Sequence, residues 1–323
     1  MTDVTAPAAR ARVDRQTLVR WTQEYGVYAA LVILLVADAA TLPYFLEMSN
    51  LRVQLYQVVP TLLVSLGMAL VIGTEGIDLS VGAVMALAAA LIPLYIGYGA
   101  GLAILVALIG GAVSGLVGGS MVAFGRVQPI VATLALMIGL RGVAVIFNGA
   151  QDKPVGDTTI DGLGINLSLG IPDMAWLALI IVIVVGFVVR RTVFGRQLMA
   201  IGDNREASRL SGLPVRRVLL TVYIVSGVLA ALAGILTVGH DVRAAPSLQG
   251  LDMELSAITA VVVGGTPLSG GKVRVVGTVA GAVFMQLVIA TLQQHNVDNA
   301  YSQIIEAVII CLAVWAARER GTR

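Results

Sequence analysis

Residues 71–91 read VIGTEGIDLSVGAVMALAAAL. Two apolar runs are separated by a short polar stretch in which Glu75 and Asp78 sit among Gly73, Gly76 and Gly82. In an aqueous fold this is a cap and turn, with Asp78, Ser80 or both accepting the first free amides of the next helix. In lipid the same residues mark a broken helix, whose unpaired backbone groups must face protein or a water-filled path. The rest of the chain decides between the two.

The chain has 323 residues, 58% of them hydrophobic and only 12% charged, and its mean hydropathy is +0.91. Soluble domains carry about 25% charged residues, so the solvent around most of this chain is lipid. Ten apolar stretches fall at roughly 25–42, 56–74, 80–97, 100–122, 128–147, 174–190, 216–239, 253–265, 275–292 and 301–317. The eighth is short enough to be a partial or broken span. The runs are continuous rather than alternating, which excludes a membrane β-barrel. Abundant Gly and Ala suit close helix packing. The fold class is all-α: a polytopic membrane helix bundle of about ten transmembrane helices with an internal repeat.

Charge sets the orientation. Arg10, Arg12, Arg15 and Arg20 precede the first run, and Arg190, Arg191, Arg196, Arg205, Arg209, Arg216 and Arg217 crowd the 190–217 loop. Arg318, Arg320 and Arg323 close the chain, whereas loop 148–173 holds Asp152, Asp157, Asp161 and Asp173 against Lys153. The positive-inside rule places the basic clusters, and hence both termini, in the cytoplasm. Residues 1–22 read as a disordered basic cytoplasmic tail and 23–323 as one transmembrane domain. The first run reads as a spanning anchor, not a cleaved leader. Nothing calls for a nucleic-acid partner. Cys311, the one cysteine, reads as a small core residue. His240 and His295 are too far apart in sequence to suggest a metal site.

A second stretch, VVVGGTPLSGGKVRVVG at 261–277, looks at first like a nucleotide site. A phosphate loop needs Gly five positions before its Gly-Lys and a hydroxyl residue after the Lys; here Thr266 and Val273 occupy those positions. Both requirements fail, and the Leu268–Gly271 match to an ATPase signature lacks a soluble domain around it. Set beside the first stretch it makes better sense. Gly76–Gly82 and Gly265–Gly271 both read G-x-x-L-S-x-G, at an offset of 189 residues (265 less 76). Gly76, Asp78, Ser80 and Gly82, with Gly265, Ser269 and Gly271, are therefore expected to form two repeated broken-helix elements along a translocation path.

The third informative region is 190–218, with a segment at about 192–215 that reads as a short capped helix. Asp203 or Asn204 supplies the N-cap, and Asp203 with Glu206 has capping-box spacing. Gly212 provides a left-handed end and Pro214 stops continuation. Such a helix, about Asp203–Leu213, suits docking into a groove of a cytoplasmic partner.

Together these regions resemble the permease subunit of bacterial ABC importers for monosaccharides, the ribose/xylose/galactofuranose group. Gly76-Ile77-Asp78-Leu79-Ser80-Val81-Gly82 resembles that family's hallmark, FGRQLMAIGDNREASRLSGL (194–213) its coupling segment, and ELSAITAVVVGGTPLSGG (254–271) a second characteristic stretch. Arg141-Gly142 also fits. Glu75 departs from the pattern, standing where a small or neutral residue is expected. The resemblance implies a multi-pass protein of the bacterial inner membrane that does no covalent chemistry. It implies a second permease copy or sibling, an extracytoplasmic sugar-binding protein, and a cytoplasmic ABC ATPase that holds the ATP and Mg, with no cofactor on this chain. Gly202, Asp203, Asn204, Glu206, Ala207, Ser211 and Gly212 would couple to that ATPase.

Polar residues inside spans are costly and informative. Arg141 is expected to face the bundle and meet carbonyls or a carboxylate, with Glu75 or Asp78 as candidates. Gln57, Ser65, Asn148, Gln286 and Gln293 are path candidates, each also able to serve as a helix-contact hydrogen bond. Glu306 has no obvious partner. Loop Asp241–Asp252 is a candidate for receiving a binding protein. Two other functions compete. An importer permease for branched-chain amino acids or nucleosides would favour charge along the path, and a stand-alone secondary transporter would need paired intramembrane carboxylates.

Overall fold

The computed structural model describes residues 15–149 and 151–298, and beyond these 301, 303–305, 307–309, 311 and 312. It is a helix bundle. The helices are α1 (Arg15–Thr41), α2 (Met48–Gly73), α3 (Val81–Tyr95, extended by a 3-10 turn to Tyr98), α4 (Ala100–Ala123) and α5 (Pro129–Asn148). They continue as α6 (Thr158–Ile165), α7 (Asp173–Arg191), α8 (Val193–Asp203), α9 (Arg205–Leu210), α10 (Val215–Asp241), α11 (Met253–Val263) and α12 (Val275–Gln294). Helix α1 begins at Arg15, inside the stretch expected to be a disordered tail.

Seven of these helices are long and apolar enough to cross a membrane, and two shorter apolar helices, Gly26–Thr41 and Met253–Val263, accompany them. The described positions between 301 and 312 are helical, and Glu306 lies outside the described residues. The chain is thus an all-α, multi-pass membrane protein.

Burial sorts the helices. The most apolar window of α2 is 78% buried and that of α5 only 17%. Helices α2, α3 and α10 form the centre, while α4, α5 and α7 turn apolar faces outward, through Ile109, Ile138 and Ile183 among others. A face that stays apolar after folding is what lipid requires. Where α10 crosses α4 and α3, small residues bring the backbones together. A Cβ on Gly111 would strike the Gly227 carbonyl, and one on Gly234 would strike the Met85 carbonyl. Close backbone approach through small residues is how helices associate in lipid, where hydrophobic burial between them has little to offer.

Helix α11 is too short for the membrane, and α3 reaches spanning length only with its 3-10 turn to Tyr98. At 1.5 Å per residue, α3 spans about 22 Å and α11 about 16 Å, against a hydrocarbon core of about 30 Å. Non-helical backbone makes up the difference, and protein covers most of 74–80 and about half of 242–252. Residues 74–80 climb from the end of the bundle that carries α8 and α9, here termed the elbow end. Thr133 of α5 clips them, its hydroxyl accepting from the Leu79 amide at 3.0 Å and facing the Ile77 carbonyl at 3.2 Å. Residues 242–252 descend from the opposite end, where Arg243–Ala244 pairs antiparallel with Lys153–Pro154. The second segment meets the first turn of α3 inside the bundle, where a Cβ on Gly82 would strike the Gly250 carbonyl.

Candidate functional site: a backbone junction at the elbow

The two glycine-rich stretches end their preceding helices in the same way. At the end of α2, the Gly76 amide donates to the Val71 carbonyl and the Glu75 amide to the Ile72 carbonyl. At the end of α11, the Thr266 amide donates to Val261 and the Gly265 amide to Val262. These are paired 6→1 and 5→2 bonds around a left-handed residue, the Schellman arrangement. That residue is Gly265 (φ 84°) in one copy and Glu75 (φ 63°) in the other. Aligned by this shared ending, Glu75 falls opposite Gly265, an offset of 190 (265 less 75), one more than the letter-by-letter match; α9 and α12 end the same way, at Gly212 and Asn296, so the ending alone does not make the two stretches a repeat. The physical reason is that a left-handed C′ position usually selects Gly, and here one copy fills it with Glu. Beyond the shared ending the copies diverge. The next helix starts at Val81 in the first copy and at Val275 in the second.

After its shared ending, the first stretch is built around a buried carboxylate. Asp78 accepts from the Ser80 amide at 3.0 Å, the Ser80 hydroxyl at 2.6 Å and the Ser226 hydroxyl of α10 at 2.9 Å. Asp78 therefore satisfies the amide of Ser80, the residue that precedes α3. The Ser80 hydroxyl does not cap the helix, because it is turned back onto Asp78. Gly76 is buried against the hydroxyl of Tyr223. Ser226, Tyr223 and Thr133 were not singled out from sequence, although a lone Ser in the small-residue run around 226 was a usable signal.

In the second stretch Ser269 is exposed. Gly270 (φ 77°) and Gly271 (φ 77°) turn the loop back to α2, where the Gly271 amide donates to the Gly73 carbonyl at 3.1 Å. The bend between α8 and α9 lies on the same spot. Gly202 is packed so tightly that a Cβ would collide with the Gly73 carbonyl and the Gly271 amide. Arg205 adds a guanidinium bond to the Thr74 carbonyl at 3.2 Å. Three segments distant in sequence thus share one backbone junction: the end of α2, the loop after α11, and the α8–α9 bend.

Local sequence explains the bend. Thr192 caps α8, its hydroxyl accepting from the Gly195 amide, and Asn204 caps α9, its side-chain oxygen accepting from the Ala207 amide at 2.8 Å. Of the two candidates Asn204 is the cap, and Asp203 ends α8. Glu206 closes no capping box. It pairs with Arg209, whose hydrogen bonds hold its carboxyl below the usual carboxylate range. Helix α9 ends at Leu210, short of the Leu213 expected, with Gly212 (φ 80°) in the left-handed position beyond it. Asp203, Asn204, Glu206, Ala207, Leu210, Ser211 and Gly212 are exposed, whereas Gly202 and Ser208 are buried. The elbow has one face set into the bundle and one left open.

The remaining polar residues divide cleanly. Arg141 donates to the carbonyls of Pro246 at 3.2 Å, Gln249 at 2.8 Å and Gly250 at 3.0 Å. It meets carbonyls as expected, but those of the descending segment 242–252 and not Glu75 or Asp78. Glu75 is exposed at the elbow end and Asp78 is engaged with serines. Asn148 holds the same segment through the Ala244 carbonyl at 3.1 Å. Residues 242–252, expected as a surface loop, are therefore half buried. Ser65 bonds the Thr61 carbonyl within its own helix. Gln57 and Gln286 are hydrogen-bonded to each other across α2 and α12.

The comparisons with known proteins agree with this architecture. A family described as "Branched-chain amino acid transport system / permease component" matches residues 50–314. The ribose import permease protein of Escherichia coli (strain K12) is 39% identical over 300 residues, covering 91% of this chain and 93% of that protein. The fructose import permease protein of Bifidobacterium longum is 38% identical over 255 residues, covering 77% and 72%. The galactofuranose transporter permease protein of Escherichia coli (strain K12) is 32% identical over 312 residues, covering 93% and 91%. No solved structure matches the chain. With the family match over most of its length, and relatives that align nearly end to end, this chain belongs to the transport-system permease family.

Proposed function

We propose that the chain is the membrane-spanning permease subunit of an ATP-driven importer that carries a monosaccharide across a bacterial inner membrane. The observation that carries this reading is the elbow. A capped, partly exposed helix pair is wedged by Gly202 against the ends of α2 and α11, so force applied to it reaches both broken-helix elements through backbone. A stand-alone carrier has no use for such a fitting. A permease driven by a separate cytoplasmic ATPase needs one, and the exposed residues Asp203, Asn204, Glu206, Ala207, Ser211 and Gly212 are the coupling surface. ATP and Mg belong to that partner.

The related permeases are named for ribose, fructose and galactofuranose, which favours a neutral sugar over the amino acid of the family's description. The chemistry agrees, since a zwitterion would want charge along its path. Glu75 is exposed at the elbow and Arg141 is engaged by three carbonyls, so neither lines a path. The positive-inside rule favours a cytoplasmic side for the basic elbow end, and with it for both termini. Ten spans result if α1, α11 and the described helical positions between 301 and 312 each count as one. The permease pairs with a second copy or sibling and receives sugar from an extracytoplasmic binding protein.

The test is co-purification from detergent with a co-expressed ABC ATPase of the source bacterium, and sugar uptake in proteoliposomes. Substitution of Gly212 or Glu206 should weaken ATPase association. Uptake that persists with no ATPase present would overturn the reading.

A further inference from the structure

Buried polar atoms without a hydrogen-bond partner are uncommon in folded proteins, and each one asks for a physical reason. Two of those in this bundle face the same short turn. The hydroxyl of Tyr223 on α10 is fully buried and bonds to nothing in the protein. The Nε of Arg205, at the start of α9, is buried without a partner as well. The turn they face is 74–78, which joins α2 to the first broken-helix element.

That turn is held at three points. Arg205 donates from its Nη2 to the Thr74 carbonyl at 3.2 Å, so the elbow grips the start. The Tyr223 hydroxyl abuts the middle, 2.8 Å from where a Cβ on Gly76 would stand. Ser226, about one helical turn along α10 from Tyr223, donates to Asp78 at 2.9 Å and fixes the end. Asp78 and Arg205 both lie within electrostatic reach of the Tyr223 hydroxyl.

The contacts from α10 stay within the bundle, whereas the Arg205 contact crosses from the elbow and has to give when the elbow moves. Thr74 is fully buried. Its carbonyl, once released, is stranded away from water, at a cost comparable to a lost hydrogen bond. A spare donor, the Tyr223 hydroxyl, is packed against the same turn two residues on.

We infer that Tyr223 is a positioning residue of the transport cycle: its hydroxyl stands idle while Arg205 grips the turn, and takes over the Thr74 carbonyl when the elbow is displaced. The hydroxyl adds nothing to the state described here and one hydrogen bond to the other. It therefore shifts the balance between the two by about tenfold, the worth of one such bond. Phe at this position would fill the same space and leave the second state without its donor. The inference rests on the importer reading for what displaces the elbow.

The first arm of the test needs only the full chain in detergent, read by thermal unfolding. Tyr223→Phe should leave the melting temperature unchanged or raise it, because the hydroxyl it removes is buried and unpaired. On an Arg205→Ala background, where the Thr74 carbonyl is already released, the same substitution should lower it, and the difference is the coupling between the two sites. Arg205→Met, which keeps an apolar stem and no donor, replaces Ala if the Ala variant yields no folded protein. Equal shifts on both backgrounds overturn the inference. So does a fall on the wild-type background, which marks a hydroxyl already bonded, to a buried water. The second arm uses the full chain in proteoliposomes with its ATPase and binding protein, and radiolabelled ribose, fructose and arabinose as probes. Tyr223→Phe should lower uptake of the carried sugar about tenfold while the ATPase still co-purifies at the wild-type level. Undiminished uptake overturns the inference, and so does lost co-purification, which marks an assembly defect. If the wild-type chain carries none of the three sugars, the importer reading itself fails, and the first arm alone decides the exchange at Thr74.

Discussion

The amide of Gly271 donates to the carbonyl of Gly73 at 3.1 Å, binding together two helix ends that lie far apart in the sequence. Gly202 occupies the space beside that bond so closely that no side chain fits. The junction is therefore made of main chain, and its tolerance for substitution is small.

Gly202→Val should abolish coupling. Its side chain has to displace the Gly73 carbonyl or the Gly271 amide, and overpacking of this kind costs about 1–3 kcal/mol. Sugar-stimulated ATP hydrolysis and uptake should both fall while the chain still inserts, a pattern read by comparing membrane expression with transport. Wild-type uptake from Gly202→Val would contradict the packing.

Glu75 sits in a left-handed conformation that costs a non-glycine residue about 1–2 kcal/mol. Replacement by Gly should raise thermal stability in detergent, by no more than about 1 kcal/mol after the entropy that Gly loses on folding. Gly265→Ala should do the opposite, by about 1 kcal/mol. Opposite shifts in melting temperature would verify that Glu75 and Gly265 both hold left-handed helix ends.

Asp78 collects three hydrogen bonds from Ser80 and Ser226 in a buried site. Asp78→Ala strands both hydroxyls, at about 1–3 kcal/mol for each unpaired group, and should nearly eliminate folded protein. Ser226→Ala removes one bond and should cost about 1 kcal/mol. Fluorescence-detected size exclusion across a temperature series ranks the two, and a Ser226→Ala loss as large as that of Asp78→Ala would be unexpected.

Arg141 reaches three carbonyls with one guanidinium. Lys cannot fork in this way. Arg141→Lys should leave the bundle intact but loosen residues 242–252, seen as faster amide exchange there than in α10. Unchanged exchange in 242–252 would show that Asn148 and the short strand pair hold the segment alone.

Much of this was legible in the sequence, and the failures have physical causes. Continuous apolar runs name the helices, because lipid permits little else, and Asn204, Gly212 and Pro214 punctuate the elbow as their chemistry dictates. The letter match between 76–82 and 265–271 does not coincide with the shared helix ending, which sets Glu75 opposite Gly265. Glu75 takes the left-handed place that Gly265 takes, and no residue-type rule anticipates that. The partners of Arg141 were out of reach for another reason. They are main-chain carbonyls more than a hundred residues away, and carbonyls carry no sequence signal. The contact between α2 and α12 was half visible: Gln57, Gln286 and Gln293 stood out as polar, but only the packing puts Gln57 and Gln286 face to face.

The unequal lengths of the two returns from the elbow carry a mechanical consequence. The first copy passes from Glu75 to α3 in few residues, pinned by Asp78 and Thr133. The second runs from Gly265 to Val275 through two glycines in left-handed turns. Both tethers are pinned, the second by the Gly271–Gly73 bond and by the Thr266 hydroxyl, which accepts from the Arg274 amide at 3.0 Å. A push on the elbow would therefore load α3 through the short arm and α12 through the long one at the same moment.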